Sequence, residues 1–219
     1  MNQRTLTGDL PTSAFDRLVR SSKDVIRATV GWLAPDLARR LTNFHHLDDR
    51  VFLEEVILPF FRNDKEIRSV LWVGADWYTK PYEKFFRGKE YWTLEIDPSK
   101  KRFGSKRHVI APLSRLEEFA GGPTFDAILC NGVFYPGGID TREEAEASLL
   151  ACFRTLKPGG WLVLGLDEAR EFKPLFPPAE TEALGKFTPT IFPPIGQAKH
   201  STDTEYRHVY EFYRRSAEA

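Results

Sequence analysis

Apolar and polar positions follow two different periods along the chain. From residue 13 to residue 44 apolar side chains recur every three or four residues, which is typical of amphipathic helices. From residue 69 onward, short continuous apolar runs alternate with helical patterns, as expected for buried parallel strands joined by helices. The sequence therefore predicts an N-terminal helical extension, residues 1–65, followed by an α/β core, residues 66–219.

The apolar runs of the core predict its sheet. Five of them predict parallel strands, at residues 70–73, 91–94, 108–111, 125–130 and 161–165. Helices are predicted over residues 79–87 and after Thr141, which forms a capping box with Glu144. Two final runs, 190–192 and 208–213, predict an antiparallel pair that closes the chain. We expect a mainly parallel, seven-stranded sheet with helices on both faces.

The N-terminal extension offers two structural roles and one candidate for chemistry. It could cover the substrate side of a site or one face of the sheet, and these roles are compatible. A helix is expected after Asp49, and Pro59 should kink or end it because proline lacks an N–H group. His45 and His46 follow a predicted helix, where a histidine could act as a general base or cap free carbonyl groups.

Charge and cysteine content narrow the class of protein. Lys plus Arg and Asp plus Glu number 31 each, so no net charge favours nucleic acid or an anionic membrane. The N-terminus lacks the apolar core of a signal peptide, and no stretch reaches the length of a membrane span. Cys130 and Cys152 lie in apolar runs without metal-ligand spacing, which predicts buried thiols and no metal site. We expect a cytoplasmic monomer or homodimer without nucleic-acid or membrane partners.

The stretch from residue 69 to residue 97 carries the first chemical indication. One apolar run stops at Gly74, and the next stops at Glu95. In nucleotide-binding α/β folds, ligands lie beyond the carboxyl ends of the strands, where backbone N–H groups after the first strand suit an anion. A carboxylate ending the second strand can accept both hydroxyls of a ribose. The stretch therefore predicts a nucleoside-containing ligand.

Four segments together resemble the class I S-adenosylmethionine-dependent methyltransferases, whose fold is Rossmann-like. These segments are VLWVGA (70–75), TLEIDPS (93–99), FDAILCNGVF (125–134) and LKPGGWLVLG (156–165). The resemblance implies an enzyme that uses S-adenosyl-L-methionine. The sequence departs from the family loop, acidic-x-Gly-x-Gly-x-Gly, because Trp72 replaces the acidic residue. Asp76 and Tyr78 replace the second and third glycines.

The resemblance also implies roles for individual residues. Gly74 matches the loop glycine beside the methionine moiety, and Glu95 matches the acidic residue that holds the ribose. The implied cofactor-binding residues are Gly74, Ala75, Asp76, Glu95, Ile96, Asp97, Leu113, Ser114, Asn131 and Gly132. Tyr78, Phe134 and Tyr135 are expected to contact the substrate. His45, His46 and Tyr135 are the candidate catalytic residues.

The expected function is methyl transfer to an oxygen, nitrogen or sulfur atom of a small molecule. Transfer is an in-line displacement at an activated carbon, so the protein contributes largely alignment and exclusion of water, and no metal is needed. Asn131 is followed by Gly132 and Val133 where base and amide methyltransferases carry two prolines, which argues against base methylation without excluding it. Two alternatives stay open: a catalytically inactive, methyltransferase-like binding or scaffold protein, and a nicotinamide-dependent oxidoreductase.

Overall fold

The computed structural model describes residues 48–216 of the 219-residue chain. Its strands are β1 (Ser69–Val73), β2 (Glu90–Glu95), β3 (Arg107–Ile110), β4 (Phe125–Asn131), β5 (Leu156–Asp167), β6 (Phe187–Pro189), β7 (Lys199–Ser201) and β8 (His208–Arg215). Three contiguous segments, Asp48–Phe52, the π-helical Leu53–Ile57 and Leu58–Asn63, together form α1. The other α-helices are α2 (Tyr82–Phe85), α3 (Glu117–Ala120) and α4 (Arg142–Thr155). Short 3₁₀ helices span Pro98–Phe103, Leu113–Arg115, Pro178–Glu180 and Leu184–Lys186.

The sheet has the order β3-β2-β1-β4-β5-β8-β6, and β7 also pairs with β8. Strands β1 to β5 are parallel, with Leu71 of β1 opposite Trp92 of β2 and Ile128 of β4. Strand β8 runs antiparallel to β5, and β6 and β7 pair with its other edge. The mainly parallel α/β sheet with an antiparallel closing strand confirms the predicted fold class. All five parallel strands end at the same edge of the sheet.

Helices pack on both faces of this sheet. On one face Leu149 of α4 joins Ile128 and Leu162, and on the other Phe61 of α1 joins Trp161. Because both faces are buried, the strands read as continuous apolar runs. Of the predicted extension, residues 1–47 lie outside the described residues, so a boundary at residue 65 stays a prediction. Within residues 48–216, no helix is long and apolar enough to cross a membrane.

Pro59 alters α1 without ending it. The turn that precedes it is π-helical, and the N–H of Leu58 donates to the carbonyl oxygen of Leu53, five residues earlier. A wider turn accommodates a proline ring that would otherwise crowd the carbonyl group four residues before it. The helix then continues to Asn63, which keeps Phe61 on the sheet.

Two predicted elements differ from the structure. The strand predicted at residues 190–192 is wrong: β6 ends at Pro189, and Phe192 forms only an isolated bridge with Gln197. An apolar residue stands at position 192 because the side chain is buried against the ring of Phe212, with ring centroids 4.1 Å apart. The sheet has eight strands rather than seven because two short strands share the edge of β8. The helix predicted over residues 79–87 is confined to α2, between turns.

Candidate functional site

A cavity of about 490 Å³ lies beyond the carboxyl ends of β1 to β5. Every residue that the resemblance places at the cofactor lines it, except Asp97. The Asp97 carboxylate instead accepts the N–H of Ser99 at 2.8 Å and caps the following 3₁₀ helix, and these bonds lower its pKa. The cavity is continuous from the turn at Gly74 to the end of β2 at Glu95.

The turn after β1 depends on Gly74. Its φ is +87°, a backbone conformation that glycine adopts without strain, and an added Cβ would lie 3.2 Å from Cγ1 of Val133. The indole N–H of Trp72 donates to the carbonyl oxygen of Gly74 at 2.8 Å. Trp72 thus holds the turn from a position where the family carries an acidic residue.

Asp76 occupies the backbone groups that a second loop glycine would leave free. Its N–H donates to Oγ1 of Thr79 at 2.9 Å, and its Oδ1 accepts the N–H of Trp77 at 2.6 Å. The expectation that the N–H groups of this turn face an anion is therefore wrong for Asp76 and Trp77, because the loop itself uses these two groups. Positive charge comes from Lys100, whose ammonium lies 2.9 Å from Oδ2 of Asp76. Burial acts to lower the pKa of Lys100, but the hydrogen bond and charge of Asp76 outweigh it and raise the pKa.

Glu95 presents a fixed carboxylate to the cavity. The residue is 7% exposed, and Oε1 accepts the N–H groups of Ile96 and Asp97 at 2.9 and 3.0 Å. Among residues 48–216, no group donates to Oε2. Beside it the cavity has apolar walls formed by Leu94, Ala111 and Leu113. This end can receive a hydroxyl-bearing group next to an apolar or planar one.

A hydrogen-bonded chain that the sequence analysis did not predict lies at the ends of β4 and β5. His208 Nδ1 lies 2.5 Å from Oδ1 of Asp167, and His208 Nε2 lies 3.0 Å from Oδ1 of Asn131. Asn131 and Asp167 line the cavity, whereas His208 is 4% exposed and lies behind them. The pairing of β5 with β8 places Asp167 opposite His208. The available indication in the sequence was that two polar residues terminate neighbouring apolar strands.

The β5 end of the cavity is acidic and aromatic. Glu144, Asp167 and Glu171 line it, together with Tyr135 and Phe172, which are 45% and 38% exposed. Carboxylates at this end favour a basic or hydrogen-bond-donating ligand.

The remaining predicted site residues lie in different places. Tyr78 lines the cavity, and the guanidinium of Arg50 stacks 4.6 Å from its ring centroid. Phe134 is 1% exposed, belongs to the core beneath α4 and does not line the cavity. His45 and His46 lie outside the described residues. In the part of the chain that the structure describes, no cluster of His, Cys, Asp and Glu side chains could hold a metal ion.

Comparison with solved structures identifies the fold. No protein-family model matches the sequence, and no curated protein matches it. The N-methyltransferase NodS from Bradyrhizobium japonicum WM9 with S-adenosyl-L-homocysteine aligns with a TM-score of 0.58 at 13% identity, over 87% of this chain and 99% of its own. A SAM-dependent methyltransferase from Methanosarcina mazei aligns with a TM-score of 0.54 at 14% identity, over 73% and 98%. A mutant of MtNAS with S-adenosylmethionine aligns with a TM-score of 0.60 at 11% identity, over 94% and 77%.

The low identities of these alignments restrict the conclusion to architecture. The antiparallel strand β8, which lies between β5 and β6, also distinguishes the sheet from the 3-2-1-4-5-6 strand order of dinucleotide-binding folds. The chain therefore has the fold of the class I S-adenosylmethionine-dependent methyltransferases.

Proposed function

We propose that this protein is an S-adenosylmethionine-dependent methyltransferase that acts on a small molecule. The observation that carries the proposal is the continuous cavity that joins the turn at Gly74 to the carboxylate of Glu95. It lies in a fold shared with NodS, which was crystallised with S-adenosyl-L-homocysteine, and with MtNAS, which was crystallised with S-adenosylmethionine. A filled turn, or a wall between Gly74 and Glu95, would have contradicted the proposal.

The residues around the cavity fit this cofactor. Glu95 Oε2 has no other donor among the described residues and can accept a ribose hydroxyl, while Oε1 is held by the backbone. Ile96, Leu113 and Ser114 would contact the adenine through apolar packing and backbone groups. Gly74 and Ala75 would lie under the methionine moiety.

The charged ends of the methionine moiety would meet the Asp76–Lys100 ion pair. Both residues line the cavity, and their charges are opposite. A zwitterionic amino acid can align its carboxylate with Lys100 and its ammonium with Asp76. This ion pair would bind the charged groups that loop N–H groups bind where the second and third glycines are present.

When bound, S-adenosylmethionine supplies a methyl group on a positively charged sulfur. The chain must therefore align the acceptor in line with that methyl group, exclude water and accept a proton where the acceptor carries one. Asn131 and Gly132, at the end of β4, would lie beside the reacting atoms, and Tyr78 and Tyr135 would contact the acceptor. The carboxylates of Asp167 and Glu171 favour a nitrogen acceptor over an oxygen or sulfur acceptor.

A general base would be Tyr135, which lines the cavity, or His45 or His46 of the extension. A base assists transfer to a hydroxyl or a protonated amine, whereas alignment alone can suffice for a thiolate or a free amine. With an identified acceptor, the rates of Tyr135→Phe, His45→Ala and His46→Ala test this role separately. Unchanged kcat in all three variants would contradict it.

Binding calorimetry with S-adenosyl-L-homocysteine on the full-length protein tests the proposal first. We expect saturable binding with one site per chain. Formation of S-adenosyl-L-homocysteine from S-adenosylmethionine is then measured with small amines, alcohols and thiols. Binding of NAD in place of S-adenosyl-L-homocysteine would favour an oxidoreductase, whereas binding of neither would favour a non-catalytic scaffold.

A further inference from the structure

The two ring nitrogens of His208 both face oxygen atoms. Nδ1 lies 2.5 Å from Oδ1 of Asp167, and Nε2 lies 3.0 Å from Oδ1 of Asn131. A carboxylate oxygen and an amide oxygen only accept hydrogen bonds, so each contact needs a proton on the ring nitrogen.

This contact orients the amide of Asn131. With Oδ1 against His208, the NH₂ group is left at the other end of the amide plane. Among residues 48–216, no acceptor takes that NH₂ group, and it is not a buried atom. Because Asn131 lines the cavity, its NH₂ group offers a hydrogen-bond donor to a ligand there.

Gly165 of β5 leaves the room that this contact occupies. A Cβ at Gly165 would lie 1.9 Å from Oδ1 of Asn131 and 2.9 Å from Nε2 of His208. Any larger residue would displace the amide from the ring. Strand β5 thus has no side chain at position 165, next to which the side chains of Asn131 and His208 are in contact.

We infer that His208 is a positioning residue whose protonation sets which end of the Asn131 amide faces the cavity. With protons on both nitrogens, His208 holds Oδ1, and the cavity receives a donor. When the Nε2 proton leaves to solvent, Nε2 becomes an acceptor, and the amide turns so that its NH₂ group donates to the ring. The cavity then receives the amide oxygen, which is an acceptor.

The inference adds a substrate preference to the proposed function, and this preference rests on the proposed function being right. A donor at Asn131, beside the reacting atoms, selects an acceptor molecule that carries a carbonyl, carboxylate or other hydrogen-bond-accepting atom next to the atom that is methylated. After the amide turns, the hydrogen-bond-accepting atom of such a molecule faces the amide oxygen of Asn131, which is also an acceptor, and the molecule binds less well.

Other groups around the ring contribute little net charge. Asp167 of β5 is the charged group in contact with it, and Asn131 of β4 is neutral. Tyr210 of β8 lies edge-on, with ring centroids 4.7 Å apart, and burial raises its pKa. Behind Tyr210, α1 supplies Asp49 and Arg50, whose charges are opposite.

Nuclear magnetic resonance on the ligand-free, full-length protein tests the inference without cofactor. The ¹⁵N signals of the His208 ring and of the Asn131 NH₂ group are followed from about pH 5 to about pH 9. We expect both sets to change with one shared midpoint, while the NH₂ group of Asn63, on α1, does not follow it. Different midpoints for His208 and Asn131 would overturn the inference. Asn131 signals that stay constant while His208 titrates would do the same, and so would His208 signals that do not change over this pH range.

Two variants add to the test. In His208→Gln the Asn131 signals should no longer depend on pH. In Asp167→Asn, a change at a partly exposed residue, the shared midpoint should move to lower pH for both groups together. Midpoints that move separately would contradict the inference.

Calorimetry with S-adenosyl-L-homocysteine on the same samples separates the two ideas. Binding without coupled titration would refute the role of His208 and leave the proposed function intact. Coupled titration without binding would do the opposite.

Discussion

The indole N–H of Trp72 donates a 2.8 Å hydrogen bond to the carbonyl oxygen of Gly74, which ties the strand before the cavity to the turn that lines it. In Trp72→Phe this carbonyl group loses its partner, and a fully buried side chain loses volume. We expect the free energy of unfolding to fall by about 1–3 kcal/mol and S-adenosyl-L-homocysteine to bind more weakly. Urea denaturation and calorimetry measure the two effects.

Trp161→Phe is the matched control. Trp161 is buried in the same apolar cluster, but its indole nitrogen has no hydrogen-bond partner within residues 48–216. This variant should lose stability through packing and keep its affinity for S-adenosyl-L-homocysteine. Equal losses of affinity in both variants would show that the bond to Gly74 does not shape the cavity.

Removing the Glu95 carboxylate should weaken cofactor binding. Glu95→Ala eliminates the acceptor Oε2 and frees the N–H groups of Ile96 and Asp97 from Oε1. We expect a loss of about 2 kcal/mol, roughly a 30-fold increase in the Kd of S-adenosyl-L-homocysteine. Asp97→Ala, which removes a carboxylate that does not line the cavity, should change the Kd far less. Equal effects would place the ribose elsewhere.

Two glycines with positive φ separate backbone strain from contact with the ligand. Gly74 has φ +87° and lies against Val133, whereas Gly88 has φ +94° and no atom within 4 Å of an added Cβ. Gly74→Ala and Gly88→Ala should each destabilise the fold by about 1–2 kcal/mol. Gly74→Ala alone should also weaken S-adenosyl-L-homocysteine binding. Circular dichroism during urea denaturation and calorimetry provide the comparison, and an unaffected Kd in Gly74→Ala would contradict the site.

Stability should fall as the pH decreases below about 6.5, partly because of His108. Burial lowers the pKa of His108 from its ordinary value of 6.5, and its Nε2 is buried without a partner among the described residues. The unfolded chain therefore binds a proton first as the pH falls, and stability is lost until the pH passes the lower pKa of the folded state. Burial also lowers the pKa of His200, which adds the same trend.

In His108→Gln this contribution is absent. The free energy of unfolding, measured by urea denaturation at several pH values, should therefore decline less steeply with acidification than in the unsubstituted protein. Parallel declines in the two proteins would contradict the prediction for His108.

The sequence predicted the central strands because β1, β4 and β5 are buried on both faces and read as unbroken apolar runs. It failed at the edge, where β6 and β7 have three residues each, too few to establish a period. The sequence also predicted a strand at Phe192, because the apolar pattern does not distinguish a residue packed in the core from one paired in a sheet.

In the candidate site, too, some residues could be predicted from the sequence and others could not. Gly74 follows β1 and Glu95 ends β2 within one local stretch, so their proximity could be predicted from the chain itself. Asp167 and His208 are 41 residues apart, and only the pairing of β5 with β8 brings them together. The use of loop N–H groups by Asp76 and Thr79 was likewise hidden, because it depends on the path of the loop rather than on its composition.

The outer edge of β8 is covered by two short strands placed end to end, with Pro189 closing the first. A proline cannot donate a ladder hydrogen bond, and a three-residue strand gives an incoming chain little to extend. The sheet therefore ends in an interrupted border on this side, which resists strand-by-strand addition of a second copy. Strand β8 is thus poorly placed to serve as a template for aggregation.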